Sequence, residues 1–554
     1  MNPKRHGPQH LECGDRSPLS NWETCLPVTK RGHVHALHNE MQTHPIAFVS
    51  ICLLLLILHA PAAVLYVDGN SANPTPPYAD LSTAANTIQA AVDAATNGDL
   101  VLVNDGYYQD GFQTVAKGVP GIGNVTNRLV ISKQLTVQSI NGPTAAYISG
   151  GGIYRCVYLT NGAALNGFTL ENGIAGYTNR IGLFGHSTVV GNGGGVCGGS
   201  LSRGVVSNCV LTANRATSEG GGAYDVALIR CQLNGNSAAM GGGAFGCTLN
   251  SCNITGNSTA DYGVTGPAIP QPNAGGGICD GTAMNCVVAG NKAGLGGGIY
   301  AVGKLINCTI VNNSAAFNGG VGYGSYNGLT IDVLTNCLVY FNTAGTNDNY
   351  ASTSSLVFDH CCTFPLPSGA GDLTNDPGIV DFAGGDFHLQ SSSLCINSGN
   401  NSAVISGTDA DGNARIAGGT VDIGAYEFAT PASKLSYAWA QQYGFPTDGS
   451  ADLADPDGDG MNNWQEFVAG TNPTNAASVL AMTVAYPVSS FNWTIVKWQS
   501  VDTRNYFLLR STNLSAPSAF SLVGSNITGQ AGTTLVIDAT ATNGGAYFYR
   551  VGVQ

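Results

Sequence analysis

A short alternation of inward and outward positions recurs along the middle of the chain. Each of six cysteines is followed two residues later by an aliphatic residue, so both side chains face the same side of a strand. The pairs are Cys209/Leu211, Cys231/Leu233, Cys252/Ile254, Cys286/Val288, Cys308/Ile310 and Cys337/Val339. Successive cysteines lie 22, 21, 34, 22 and 29 residues apart. The pattern predicts one buried strand in each of a series of similar coils.

Two further positions repeat with the cysteines. Five residues after each one stands an asparagine, namely Asn214, Asn236, Asn257, Asn291, Asn313 and Asn342. Asparagine tolerates left-handed backbone at a turn, and stacked identical amides can bond to one another, so we expect a buried ladder. Glycine runs begin at Gly193, Gly220, Gly241, Gly275, Gly296 and Gly319. They permit a second corner without Cβ crowding.

A single coil of this length cannot bury its own apolar side chains, because it is only one strand thick along the stacking direction. Stacked about 4.8 Å apart, they form a parallel β-helix, or solenoid, with a continuous core. The longest interruption, residues 261–273, is rich in Gly and Pro and predicts a loop. The repeat therefore predicts an all-β fold.

Several segments resemble known families. The unit GGGAY…CQLNGNSA…GGGAF resembles the GGA-I and F-x-x-N repeats of polymorphic outer-membrane proteins, with Cys or Leu where Phe is usual. The start, LYVDGNSA and then TIQAAVDAATNGDLVLVNDGYY, is similar to secreted right-handed β-helix proteins of the pectin-lyase type, with a capping helix at residues 87–95. Residues 393–428 are similar to the closing segment of choice-of-anchor Q proteins. These resemblances imply a right-handed parallel β-helix over 63–428, and they indicate fold and export better than activity.

The first 62 residues resemble processing signals. The apolar run at 46–58 is too short to cross a bilayer comfortably, and residues 60–62 offer a small-residue cleavage pattern. We interpret 41–62 as a signal peptide, with a buried helix or membrane anchor as the alternative, and 1–40 as a mis-started or disordered leader. We therefore expect an extracellular or outer-surface protein that contacts membranes only through export or anchoring.

The C-terminal third carries one specific motif, at residues 455–466. It fits the twelve-residue calcium loop, with candidate ligands Asp455, Asp457, Asp459, Met461, Asn463 and Glu466. The surroundings resemble thrombospondin type 3-like and dockerin-like segments of secreted bacterial proteins. We expect a structural Ca²⁺ in a linker over 429–478, with a solvated acidic turn as the alternative. Residues 409–413 match the calcium-loop pattern less well, and an ion pair with Arg415 explains their acidic residues equally well.

Residues 479–554 alternate apolar and polar positions in short runs separated by turn residues. Five such runs predict strands: TVAYPV, WTIVKWQ, NYFLLRS, TLVIDAT and AYFYRVGV. Evenly spaced strands of this kind predict a small, fibronectin-like β-sandwich.

Composition and charge exclude some functions. Charged residues make up 10% of the 554, and the net charge is -13, so the chain lacks the basic face that a nucleic-acid partner would need. Beyond residue 62 only His186, His360 and His388 remain for histidine chemistry. Stacked inward cysteines have parallel Cβ vectors, so we expect buried free thiols in preference to disulfides. No Cys-x-x-Cys pair indicates zinc.

Two functions remain open for the solenoid. Outward aromatic residues that follow the glycine runs could stack on sugar rings, namely Tyr224, Phe245, Tyr300 and Tyr323, or they could pack beneath loops. Asp225 and Asp280 share a register, but at two coils, or about 10 Å, they lie too far apart to hold one ion. We expect a non-catalytic binding or adhesion protein for polysaccharide or a cell-surface component. The alternative is a carbohydrate-active enzyme resembling pectate lyases.

Overall fold

The computed structural model describes residues 62–553 except 115–125, 161, 182–184, 190, 200–202, 261–272, 302, 325–331, 489–492, 514–519 and 542–545. Residues 1–61, which hold the predicted leader and nearly all of the predicted signal peptide, lie outside this set, as does most of the predicted loop at 261–273. Residue contacts divide the chain into Met1–Ala62 and Ala63–Gln554. Among the described residues we find no helix with the length and apolar character needed to cross a membrane.

The described residues are nearly all in strands and turns. The helices are α1 (Ile88–Ala94), α2 (Tyr437–Gln442) and α3 (Asn463–Ala469), with a 3₁₀ turn at Asn401–Ala403. The strands of the coiled part are, in chain order, β1 (Val64–Val67), β2 (Leu100–Val103), β3 (Gly106–Tyr108), β4 (Gln113–Thr114), β5 (Thr126–Ile131), β6 (Thr136–Ser139), β7 (Ala146–Ser149), β8 (Arg155–Leu159), β9 (Ala164–Asn166), β10 (Thr169–Glu171), β11 (Ile174–Ala175), β12 (Tyr177–Ile181), β13 (Gly185–Val189), β14 (Val196–Gly198), β15 (Val205–Ser207), β16 (Val210–Thr212), β17 (Arg215–Ala216), β18 (Ala223–Tyr224), β19 (Ala227–Ile229), β20 (Gln232–Asn234), β21 (Ser237–Ala238), β22 (Ala244–Asn250), β23 (Asn253–Thr255), β24 (Ser258–Thr259), β25 (Ile278–Met284), β26 (Val287–Ala289), β27 (Lys292–Leu295), β28 (Ile299–Tyr300), β29 (Lys304–Ile306), β30 (Thr309–Val311), β31 (Ser314–Phe317), β32 (Val321–Gly322), β33 (Asp332–Thr335), β34 (Leu338–Tyr340), β35 (Thr343–Thr346), β36 (Leu356–Asp359) and β37 (Cys362–Thr363). The later strands are β38 (Ile379–Asp381), β39 (Asp386–Leu389), β40 (Met482–Val488), β41 (Trp493–Ser500), β42 (Asn505–Ser511), β43 (Ser521–Thr528), β44 (Gly532–Asp538) and β45 (Phe548–Val553).

Three long sheets, parallel but for the β4–β5 hairpin, run along the solenoid. The first joins β1, β2, β6, β9, β15, β19, β22, β25, β29, β33 and β36, and continues around the glycine corner into β5, β8, β14, β18, β28 and β32. The second is β3-β7-β10-β16-β20-β23-β26-β30-β34-β37, and the third is β11-β17-β21-β24-β27-β31-β35. The fold is a right-handed parallel β-helix, the hand that crossovers between parallel strands almost always take.

The repeated apolar positions form the core, as the alternation predicts. Leu211 pairs with Leu233, and Leu233 pairs with Ile254, in strict register along the second sheet. The cysteines before them are buried in the same cluster and are not joined in disulfides. Burial raises the pKa of the Cys209 thiol to about 12, which keeps it neutral. The cysteines therefore act as small apolar side chains.

The first coil is closed by α1, close to the helix predicted at 87–95. The Thr87 side chain accepts a hydrogen bond from the Ala90 amide at the helix N-terminus. Ile88, Ala91 and Val92 are buried against the solenoid core. Because no coil precedes the first one, the helix covers apolar side chains that would otherwise be exposed at this end of the solenoid.

The coils end earlier than we expected. Their last strand is β37, whereas the predicted solenoid extended to residue 428. Part of the segment 377–428 instead packs on the outer face of the second sheet, where Ile379, Phe387 and Ile423 contact outward side chains of the last coils. Those outward positions are polar in most earlier coils, at Thr169, Gln232 and Asn253 but not Val210. They carry apolar side chains in most of the later ones, at Val287, Leu338 and Cys362.

The C-terminal module consists of two three-stranded antiparallel sheets, β40-β41-β44 and β43-β42-β45. Val496 and Trp498 of the first pack against Tyr506 and Leu508 of the second. The β-sandwich is therefore present. The sandwich has six strands, one more than the sequence pattern predicts. The additional strand is β43, whose residues are mostly exposed and do not alternate, so the pattern does not indicate it.

Candidate functional site

The three aspartates of the predicted calcium loop converge on one point. Ligand oxygens of Asp455, Asp457 and Asp459 all lie within 4.8 Å of one another. Asp455 is held by its own loop, because its carboxylate accepts hydrogen bonds from the amides of Gly458 (2.8 Å) and Gly460 (3.0 Å). Gly460 has φ +96°, a left-handed conformation that favours glycine.

Helix α3 follows the loop and carries the last two predicted ligands, Asn463 and Glu466. The Asn462 side chain accepts from the Gln465 amide and Gln465 returns a bond to the Asn462 amide, which forms a capping box. This cap places Asn463 and Glu466 in the first turn of the helix. Both residues are fully buried.

Four oxygens of this cluster are buried and have no hydrogen-bond partner. They are Asp457 Oδ2, Asp459 Oδ2, Asn463 Oδ1 and Glu466 Oε2. Buried polar atoms are normally paired, so these four unpaired acceptors are candidate ligands, beside the converging aspartates, for a cation. An all-oxygen donor set fits a hard ion such as Ca²⁺.

The electrostatics of the cluster agree with this interpretation. Burial, reinforced by Asp457 and Asp459, raises the pKa of Glu466 to about 7. Burial also raises the pKa of Asp459, with the neighbouring aspartates adding to the effect. The carboxylates repel one another, and a divalent cation would relieve that repulsion.

The loop and α3 connect the end of the coils to the sandwich. On one side, Asn463 Nδ2 donates to the Ala451 carbonyl at 2.9 Å. On the other side, the Arg504 guanidinium donates to the carbonyls of Val468 (3.0 Å) and Phe467 (3.2 Å) at the end of α3. The Leu480 amide also donates to the Met461 sulfur at 3.3 Å. Order in the loop is thus transmitted directly to the module beyond it.

The six predicted ladder asparagines lie one above another and are buried. The Oδ1 of every ladder asparagine after Asn214 accepts from the asparagine before it: Asn214 Nδ2 donates to Asn236, Asn236 to Asn257, Asn257 to Asn291, Asn291 to Asn313, and Asn313 to Asn342, at 2.9–3.0 Å. The ladder ends on Asn349, which accepts from Asn342 at 3.2 Å. These residues are structural, because no ligand can reach them.

The aromatic residues predicted to face sugar rings do not form an open surface, which corrects that expectation. Phe245 and Tyr300 are buried in a cluster with Met240 and Cys279, and Tyr224 stacks on Phe245 at 5.8 Å. Tyr323 packs against the main core. The chain bends sharply at the glycine triplets, so outward side chains before and after each bend meet and bury one another.

Candidate acids and bases of the solenoid remain dispersed. Asp225 forms a 2.9 Å ion pair with Arg203, and Asp225 and Asp280 both have left-handed backbone, with φ of +50° and +51°. Arg215 and Lys292 are exposed and separated by three coil steps in the third sheet. The side chain of His186 lies outside the described residues.

The segment at 409–427 contains a buried ionic group that sequence reasoning misassigned. Arg415 pairs with Glu427 at 2.9 Å, both nearly fully buried, and not with an acid of the segment 409–413. Asp409 instead accepts from the amides of Asp411, Asn413 and Glu427. Burial and the nearby Glu427 raise the pKa of Asp422 to about 8. The acidic residues of the segment 409–413 therefore take part in an internal network of hydrogen bonds.

Comparison with known proteins adds little about chemistry. No family model and no curated protein matches this chain. Among solved structures, a pectate lyase is similar, with a TM-score of 0.36 and 16% identity over 66% of this chain and 97% of its own. A pectin methylesterase solved with a hexasaccharide has a TM-score of 0.30 and 12% identity, covering 57% and 92%. The pectin methylesterase of Erwinia chrysanthemi has a TM-score of 0.25 and 13% identity, covering 55% and 80%. No activity is transferred from these similarities.

Proposed function

We propose that this chain is an exported, non-catalytic protein that binds polysaccharide or a cell-surface component. The observation that carries the proposal is an apolar face on the outer side of the β40-β41-β44 sheet. Tyr486 pairs with Ile495, and Ile495 pairs with Ile537, while Tyr486, Leu535 and Ile537 are all exposed. Soluble proteins rarely leave such side chains grouped on one face unless the face binds something.

We further propose that the loop at 455–466 binds one structural Ca²⁺. The four unpaired, buried oxygens support this, as does the raised pKa of Glu466. By binding only the ordered loop, calcium would stabilise α3 and its contacts with the sandwich. The ion's role here is to hold the C-terminal module in place, and it has no part in a reaction.

The enzymatic alternative is a pectate-lyase-like activity on the solenoid. The pairing of Asp225 with Arg203 and the separation of the other charged groups favour the binding function. Incubating the mature protein with polygalacturonate and calcium decides between the two. We expect no unsaturated product absorbing in the ultraviolet. Such a product, lost on Arg203→Ala, would establish the enzyme instead.

Binding itself is tested by sedimentation with insoluble plant and microbial polysaccharides, in calcium and in a chelator. We expect retention on at least one of them by the full mature chain. Retention on none would contradict the proposed polysaccharide function.

A further inference from the structure

The first coils expose aromatic side chains in two contacting pairs, one tilted and one stacked. Tyr107 is 50% exposed and Phe112 is 61% exposed. Tyr107 lies against Tyr147 on the neighbouring strand, with ring centroids 5.9 Å apart. Phe112 stacks on Tyr154 at 5.5 Å with an interplanar angle of 21°. We call these four residues the N-terminal aromatic surface. Unlike Phe245 and Tyr300, its outer rings are open to solvent.

Arg128 holds this surface in place. Its guanidinium carbon lies 4.8 Å from the centre of the Tyr154 ring. Its Nε donates to the Ser149 carbonyl at 2.9 Å, and its Nη1 donates to the Gly111 carbonyl at 2.5 Å. These bonds use the cation to fix the protein's own backbone and side chains.

Carboxylates outnumber cations around the same surface. The Tyr107 hydroxyl donates to Glu171 Oε1, and this bond raises the pKa of Tyr107. Asp105 and Asp110 are exposed beside it, and Asp105 accepts from Asn141 at 2.9 Å. Three acids therefore face solvent around a single arginine.

A cavity of about 220 Å³ opens beside Tyr107, with Asn70, Asp105, Asp110 and Arg128 in its lining. It is smaller than the roughly 300–1,000 Å³ pockets that hold drug-sized ligands, so it suits a single ring. Its lining combines an aromatic wall with carboxylate and amide groups, which accept hydrogen bonds from hydroxyl groups.

We propose that the N-terminal aromatic surface and this cavity bind a segment of an uncharged polysaccharide. This inference rests on the proposed function, and it assigns a class of polysaccharide to a second surface, separate from the apolar face of the C-terminal module. The C–H face of a sugar ring packs on Tyr107 or Phe112, and its hydroxyls donate to Asp105 and Asp110. A polyuronate would instead bring its own carboxylates against three acids, which disfavours acidic chains.

Native affinity gels that contain galactomannan, mixed-linkage β-glucan or polygalacturonate test the proposal with the full mature chain. We expect retardation by a neutral polymer, insensitive to salt, and none by polygalacturonate. Loss of stacking in Tyr107→Ala with Phe112→Ala should weaken binding about tenfold. Tyr107→Phe, which keeps the ring, should bind nearly as wild type. Phe317→Ala removes an exposed aromatic side chain from strand β31, outside both proposed binding surfaces, and should leave neutral-polymer binding unchanged.

The outcomes separate this site from the general function. Neutral-polymer binding that survives the double alanine variant would overturn the site while leaving the binding function. Retardation by polygalacturonate alone would overturn the uncharged-ligand class. A wild-type chain that sediments with other polysaccharides but is retarded by neither neutral polymer also contradicts the inference. Thermal melting by circular dichroism checks that each variant is folded.

Discussion

Replacing Asn257 with alanine should destabilise the solenoid more than any exposed asparagine in the same coil. Asn257 is fully buried in the middle of the ladder. Its Nδ2 donates to the Leu233 carbonyl and to Asn291 Oδ1, and its Oδ1 accepts from both the backbone and the side-chain amide of Asn236. Alanine removes all four bonds at once.

The expected loss follows from what remains after the substitution. The Asn236 side chain still donates to the Leu211 carbonyl, but the Asn236 backbone amide is left buried without an acceptor. One such amide costs about 1–3 kcal/mol, and the lost side-chain bonds add about 1 kcal/mol each. The free energy of unfolding should therefore fall by about 4–6 kcal/mol.

Urea unfolding with hydrogen exchange provides the assay. Long repeat arrays can unfold in parts, so the exchange of amides in residues 231–260 is followed together with the global midpoint. The control is Asn253→Ala, because Asn253 lies in the same coil but is exposed. Faster exchange should be confined to the altered coil and its neighbours, since each coil contacts only those.

Equal unfolding midpoints and equal exchange for the two variants would refute this reasoning. It would mean that the buried amides are satisfied in some other way, or that the coils do not stack in the register described. A loss spread evenly from the first coil to the last would contradict the nearest-neighbour behaviour alone.

Three other predictions concern titratable and buried charged groups. Because the pKa of Glu466 is raised to about 7 in the folded calcium-free loop, the local stability of the loop should fall as pH rises from about 4.5 to about 7. Thermal melts followed by Trp464 fluorescence in chelator should show this fall in stability, and calcium should abolish the pH dependence. Burial opposes the charged form of His388, but hydrogen bonds to Asp411 and Asp386 outweigh this effect and raise the pKa of His388. The contribution of His388 to stability should therefore be complete below about pH 6.5 and lost as pH rises through the raised pKa. NMR titration should show a lower pKa for His388 in Asp411→Asn. Arg415→Ala should lower the free energy of unfolding by about 3–5 kcal/mol, because it leaves the Glu427 carboxylate buried without its ion-pair partner. A calorimetric melting temperature equal to that of the control variant at an exposed arginine, Arg215→Ala, would contradict this prediction.

The coils could be predicted because their determinants repeat at fixed spacing. Cys252, Ile254 and Asn257 have equivalents in every neighbouring coil, so one strand pattern is read several times. The convergence of Asp455, Asp457 and Asp459 could also be predicted, because they lie within five positions of one another and need no long-range contact to meet.

The corners and the closing segment could not be predicted in the same way. Alternation indicates that Phe245 points outward, but the bend at Gly241 that buries it against Met240 is a property of three dimensions. Similarly, the outward Val287 and Leu338 give a visible apolar signal, yet nothing local shows that Ile423 from far along the chain covers them.

The in-register ladder makes the solenoid a spacer of adjustable length. The step from Cys231 to Cys252 is one complete coil, and deleting 231–251 would set Asn214 beside Asn257 with every ladder position matched. Each coil gained or lost by duplication or deletion would change the length by about 4.8 Å while leaving α1 and the closing segment untouched. The reach between the aromatic first coils and the C-terminal module can therefore evolve in fixed increments, independently of what either end binds.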